Sequence, residues 1–499
     1  MLNAPSSRRM RLLELLLIAV LTASCTSASE TSSGRRRSTA VPVPPWLAVV
    51  SNDPYMNAAS YHRTQGEVDS FAFGSMIVSA FMVGYRSTDE GGGAANIGWS
   101  VSSDAGRSWQ DGFLPNTSVW ANPPGPWKRL ADPAVAYDEK HGAWLIVGLG
   151  GSPALSKGGM LPNTVFVSRS MDGAASFGEP IIVAAPESSQ FFDKPWIACD
   201  NHATSPYYGR CHVEWDDEGN DLRLHMSTST DGGLTWHEAT VPRDTHVIDG
   251  QPLVQPDGTV IMPIQACCSA GLAAFVSKDG GRSYRGPGIG DEQPAFGATL
   301  AADVQGELAV SNTPQSISAD MDSAGRVYVV WSDCRFRDFG PDQPCAHNDI
   351  MMATTDDGVH WSQGIRVPID PVTSSVDHFL PAVGVDPTTT GDTHIGIVYY
   401  FYPEADCDVS SCELSVGFAS SSDGGSTWRA QRLDGPFHND WLPPGQNGYR
   451  HGDYFSVSFV NGQAVALFTA AEEGTCELGQ VSCHTWIAAA TIPFPDGAR

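Results

Sequence analysis

Eight residues recur six times along this chain and leave few folds open. The copies are Ser102–Trp109, Ser170–Phe177, Ser229–Trp236, Ser277–Tyr284, Thr354–Trp361 and Ser421–Trp428, of the form Ser/Thr-x-Asp-x-Gly-x-Ser/Thr-aromatic. The second has alanine in place of the glycine, and the fifth has His360 in place of Ser/Thr. Such a segment is a hairpin turn. Its Asp accepts from turn N–H groups, Gly supplies positive φ, Ser/Thr closes the loop, and the aromatic ring packs between sheets. These Asp residues are read as structural, not catalytic.

The copies start 48 to 77 residues apart. That is too long for one hairpin and suits a four-stranded propeller blade with variable loops. An apolar strand precedes each copy and a short strand follows. Two more lie upstream, such as Ala134–Tyr137 and Trp144–Leu149 before the second copy. After the sixth copy, Tyr454–Phe459, Ala464–Thr469 and Trp486–Thr491 lack both a copy and a fourth strand. Near the start, Trp46–Val50 is an unassigned apolar strand. Pairing it with the last three completes a seventh blade and leaves no free sheet edge. The expectation is an all-β, seven-bladed β-propeller of four-stranded blades over residues 46–499, closed by an N-terminal strand. A six-bladed ring capped by the terminal strands is the alternative.

Charge narrows the partners. There are 29 Lys plus Arg against 56 Asp plus Glu, a formal net charge of -27. Nucleic-acid binding needs a dense basic footprint, so that class is excluded. Arg8, Arg9 and Arg11 precede the apolar run Leu12–Leu21, and small residues lead to Cys25. This reads as a secretory signal over residues 1–24, of lipoprotein type with Cys25 lipidated, then a flexible tether over residues 25–45. The expected location is the cell surface of a bacterium, with the membrane reached only through that anchor. The ten other cysteines fall into local pairs: Cys199 with Cys211, Cys267 with Cys268, Cys334 with Cys345, Cys407 with Cys412, and Cys476 with Cys483. Local pairing in an exported chain reads as disulfides; the adjacent Cys267 and Cys268 leave a strained bridge or two thiols open.

The starts of the innermost strands carry Asp69, Asp132, Asp193, Asp249, Asn312, Asp377 and Asp453. Carboxylates so placed converge on one axis and need protons, cations or donors. They can serve as general acids and bases, hold a metal, or cap strands. No cofactor is required, and Ca²⁺ in the channel is an admissible occupant. Loops on the same face add Arg86, Arg335, Arg337 and Glu404, with Trp120, Trp441, His378, Tyr449 and Arg450. Aromatic platforms beside carboxylates suit sugar rings.

The six turn motifs resemble the Asp-box (BNR) repeats of the bacterial sialidase superfamily. The resemblance implies a glycoside hydrolase acting on terminal sugars of glycoconjugates, working as a monomer. Members use three Arg to clamp a sugar carboxylate, a Tyr/Glu pair as nucleophile and an Asp as acid/base. Carried onto this chain, Asp132 or Asp193 is the acid and Tyr449 or Tyr454 the nucleophile, with Glu404 activating the Tyr. Arg86, Arg129, Arg335, Arg337 and Arg450 are the clamp candidates, of which three would be needed. The Phe/Tyr-Arg-Ile-Pro segment that supplies the first Arg in the family is absent. A non-catalytic cell-surface propeller that binds glycan or protein is the other reading.

Overall fold

The computed structural model describes residues 47–494, apart from 87–91, 152–162, 188, 244, 267–270, 287–316, 334, 337–346, 390–391, 405–406, 408–410 and 446–447. Strands dominate the described residues, with short 3-10 turns such as Glu218–Asn220 and Asn439–Trp441. The fold is all-β, built from antiparallel sheets. Five are four-stranded. A sixth has eight strands and consists of two four-stranded units joined by the pair Ala94↔Leu130.

These seven units are called the first to seventh sheets in chain order. Their leading strands are Gln65–Phe73, Arg129–Asp138, Phe192–Cys199, the split strand Val247–Ile248 with Leu253–Val254, Ser318–Met321, Asp377–Val385 and Ser456–Val460. The seventh sheet combines both ends of the unit. Leu47–Val49 pairs antiparallel with Thr485–Pro493, with Ala48 opposite Ala489. The expected N-terminal strand therefore adds to the last three strands.

Most strands are buried on both faces; Met76–Tyr85 and Ala143–Gly151 are buried almost throughout. Apolar runs of this kind need a sheet on each side. The hydrophobic clusters supply it, each spanning two successive sheets. Val135, Ile146 and Phe166 of the second sheet pack with Val78 and Ile97 of the first. One cluster joins the seventh sheet to the first through Val465, Leu467, Val68 and Phe81. Leading strands of successive sheets touch except between the fourth and fifth, where Gln251 Oε1 accepts from Ala319 N at 2.8 Å, and that of the seventh touches that of the first. They do not share a backbone ladder, so side chains tie them. Asp69 Oδ2 accepts from Val135 N at 2.8 Å and Asp320 Oδ2 from Val385 N at 2.6 Å. Ser70 Oγ lies 2.8 Å from Ser456 Oγ.

The turn motifs follow the third strand of six sheets, as expected. In the third sheet, Asp231 Oδ1 accepts from Leu234 N and Thr235 N at 3.0 and 2.9 Å, and its Oδ2 from Thr235 Oγ1 at 2.6 Å. Hydrogen bonds from Ser108 and Ser176 hold Asp104 and Asp172 down at about 2. In the fifth copy the working acceptor is Asp357, which takes Val359 N and His360 N at 2.8 and 2.7 Å. One residue is missing there, and Asp356 instead pairs with Arg326. Disulfides join Cys199 to Cys211, Cys407 to Cys412 and Cys476 to Cys483, as the local pairing predicts. The other two expected bridges are not among the described residues. Cys334 and Cys345 both lie outside them, as do Cys267, Cys268 and the lipidation candidate Cys25.

Candidate functional site

One backbone irregularity repeats near the start of the leading strands and builds the site. Pairing skips between Gly66 and Asp69, Ala131 and Ala134, Asp193 and Trp196, and Phe379 and Ala382. The fourth leading strand is broken at the same place. The first bulged residue is left-handed each time: Glu67 (φ 52), Asp132 (φ 52), Lys194 (φ 50), Asp249 (φ 59) and Leu380 (φ 49). Positive φ is uncommon outside glycine and clusters where a side chain must be re-aimed. Gly452 (φ 105) precedes Asp453 in the seventh sheet. A Cβ there would come within 2.4 Å of Glu67 N, so the segment can pass only as glycine.

The bulges bring Asp132, Asp193, Lys194, Asp249, Asp453 and Glu67 into one electrostatic neighbourhood. Lys194 Nζ pairs with Asp453 Oδ2, and Lys194 N donates to Asp132 Oδ2 at 3.3 Å. Burial pushes Asp193 well up, reinforced by the neighbouring Asp132 and opposed by Lys194. Asp193 is thus the carboxyl of this group whose burial and like-charged neighbour favour its neutral form. Burial also pushes Glu67 up, with Asp453 and Asp132 adding to it and Arg450 and Lys194 opposing. Tyr454 O–H donates to Pro133 O at 2.9 Å, and its ring meets Trp196 edge-on at 5.3 Å. Burial, then Glu67, keeps the Tyr454 and Tyr85 phenols neutral.

Three arginines border this group. Burial lowers the affinity of Arg129 for its proton; Asp193 and Asp132 oppose this, while the nearby Arg86 and Arg450 add to it. Arg86 Nη1 donates to Lys128 O at 2.9 Å, with its guanidinium 5.1 Å from the Trp120 ring centroid. Arg129 Nη2 donates to Asn163 Oδ1 at 2.7 Å, and Arg450 stands over Tyr85 at 5.4 Å. Gly151 makes room for Arg129, since a Cβ there would lie 2.3 Å from its Nε.

Behind the bulges, Glu214 and Asp216 alternate on one face of Cys211–Asp217 and are fully buried. Asp216 Oδ2 accepts from Asp249 N at 3.1 Å. Burial and neighbouring carboxylates hold both well above the usual range. A separate cleft of about 510 Å³ is lined by Asn220, Asp221, Arg223, Arg243, Thr245 and His246.

The sequence-derived candidates divide. Asp132, Asp193, Tyr454, Arg86 and Arg450 come together, with Trp120 over Arg86. Glu404 is exposed, and the carboxylate beside Tyr454 is Glu67. Asp69 and Asp377 tie strands: Asp377 Oδ1 accepts from Asn348 N at 2.7 Å. Tyr449 pairs through its backbone with Pro444, and Trp441 packs on His438 at 5.0 Å. Arg335 pairs with Asp333, while Arg337 and Asn312 lie outside the described residues. His378 is buried beside Tyr399 and Phe401, unable to stack on a sugar. With Asp349 and Asp370 it forms the one group of metal-ligand spacing among the described residues. Arg366 pairs with both of those carboxylates, already supplying the opposite charge. Glu67 and Lys194 escaped the sequence reading; the only signal was a residue preceding Val or Pro at the leading-strand start.

The description "BNR repeat-like domain" matches residues 74–366, more than half the chain. The chain belongs to the BNR repeat-like family. No curated protein matches its sequence. Among solved structures it is similar to a Hadza microbial sialidase, at 17% identity, 75% of this chain, 68% of that one and a TM-score of 0.44. The intramolecular trans-sialidase of Ruminococcus gnavus gives 11% identity, 77% and 97% coverage, and a TM-score of 0.46. The NanB sialidase of Streptococcus pneumoniae gives 12%, 91% and 71%, and 0.43. For this BNR-repeat chain, function has to rest on its own site.

Proposed function

We propose that this BNR-repeat chain is a seven-bladed β-propeller and an exported sialidase-like glycoside hydrolase acting on terminal acidic sugars. The cyclic order of sheet contacts supports the ring. One observation carries the activity: Arg86, Arg129 and Arg450 border the buried pair Asp193 and Asp132, with Glu67 beside Tyr454.

The roles follow from charge. The guanidiniums take the sugar carboxylate, which bidentate geometry suits. Asp193, whose burial favours its protonated form, gives its proton to the leaving oxygen. Tyr454 attacks the anomeric carbon as its phenol proton passes to the Glu67 carboxylate, whose ionised form Arg450 and Lys194 favour against burial. The glycosyl–Tyr454 bond then breaks as water attacks, with Asp193 as base and Tyr454 recovering its proton. Tyr85, fully buried, backs Arg450 instead of reacting.

Hydrolysis of a fluorogenic α-sialoside, within a broad glycoside panel, tests this; no turnover of any member ends it. The second reading, a non-catalytic glycan-binding propeller, draws on the Tyr454 phenol being engaged by Pro133 O. Retention on a glycan array without turnover selects it. Export and lipid attachment belong to the same proposal. Labelled palmitate should enter the wild type and not Cys25→Ser; equal labelling of both removes the anchor.

A further inference from the structure

Crowding on the axis sets a charge problem. Asp132, Asp193, Asp249 and Asp453 come from four sheets, with Glu67, Asp216 and Glu218 behind them. Carboxylates this close need protons, a metal ion or a fixed cation. Lys194 meets that need by geometry. It occupies a bulge position that holds Glu67, Asp132 and Asp249 in neighbouring sheets, at φ 50. From there its ammonium spans to Asp453 of the seventh sheet, while its own N–H holds Asp132. Its side chain is 16% exposed, so the pair is largely withdrawn from water. The space beside it, lined by Asp132, Asp249 and Tyr454 among others, is about 20 Å³. That admits a water and no hydrated metal ion.

We propose that Lys194 is a built-in counter-cation, which balances Asp453, Asp132 and Asp249 in place of a metal ion. The left-handed backbone is the strain accepted for placing a cation there. The charge also fixes the carboxylates beside Asp193, which makes Lys194 a positioning residue. This assignment does not depend on hydrolysis, and its test needs no substrate.

Thermal unfolding of the purified protein, Lys194→Met and Lys194→Arg at about pH 5 and about pH 7.5, with and without about 5 mM CaCl₂, decides it. Without the ammonium the carboxylates bind protons more tightly in the folded state, so the damage grows as pH rises. Lys194→Met should lose at least about 5 °C at the higher pH and less than half of that at the lower. Lys194→Arg should keep the wild-type pH dependence. A loss equal at both pH values, or no loss, overturns the proposal; so does Lys194→Arg behaving as Lys194→Met. A Met variant that folds only at the lower pH supports it, and one that folds at neither overturns it. A wild type stabilised by Ca²⁺ as much as Lys194→Met is would also overturn it.

Discussion

At the residue scale, the proton on Asp193 carries the chemistry. Asp193→Asn keeps the shape and one donor but cannot release a proton to a leaving group. Turnover should fall about 10²- to 10⁴-fold with unfolding unchanged, read by steady-state kinetics and circular dichroism. Asp69 and Asp320 are acidic ties of another kind, each pushed up to about 7 by burial. Their folded pKa lies above the unfolded value, so their contribution to stability is full below about pH 4 and is lost as pH rises through about 7. Asp69→Asn should therefore flatten the fall in Tm between those limits; an unchanged slope counts against the assignment. Asp132, Asp193 and Asp453 were legible because each marks a strand start near Pro or Gly. Glu67 and Lys194 were not, because a bulge adds a residue that spacing alone does not register. The sequence pairs Asp69 with Asp132, whereas the backbone pairs Glu67 with Asp132.

At the element scale, the turn motif shows what local chemistry can announce. Its donors and acceptors lie within eight residues, so copies are visible without tertiary context. The fifth copy is the instructive one, where two consecutive Asp conceal a one-residue deletion. Asp357→Ala removes the turn's acceptor and should cost about 1–2 kcal/mol in denaturant unfolding. Asp356→Ala breaks only the exposed pair with Arg326 and should cost under about 1 kcal/mol. Equal losses would return the acceptor role to Asp356. The loops between second and third strands were harder to read. Arg335 sits on the expected side in sequence, yet it is satisfied by its neighbour Asp333.

At the scale of the whole molecule, the pairing of Leu47–Val49 with Thr485–Pro493 joins segments more than 430 residues apart. Ala48→Pro removes a backbone donor opposite Ala489 and should lower stability by at least about 2 kcal/mol, read by thermal unfolding. No effect would mean that the strand is decoration. The pairing also sets a timetable for synthesis. Leu47–Val49 is made early and cannot find its partner until Thr485–Pro493 has been made. Throughout elongation it has to wait as an unpaired apolar strand while six sheets assemble beside it. The nascent protein therefore presents a sticky strand for as long as the intervening residues are being made, the period in which a chaperone has the most to protect.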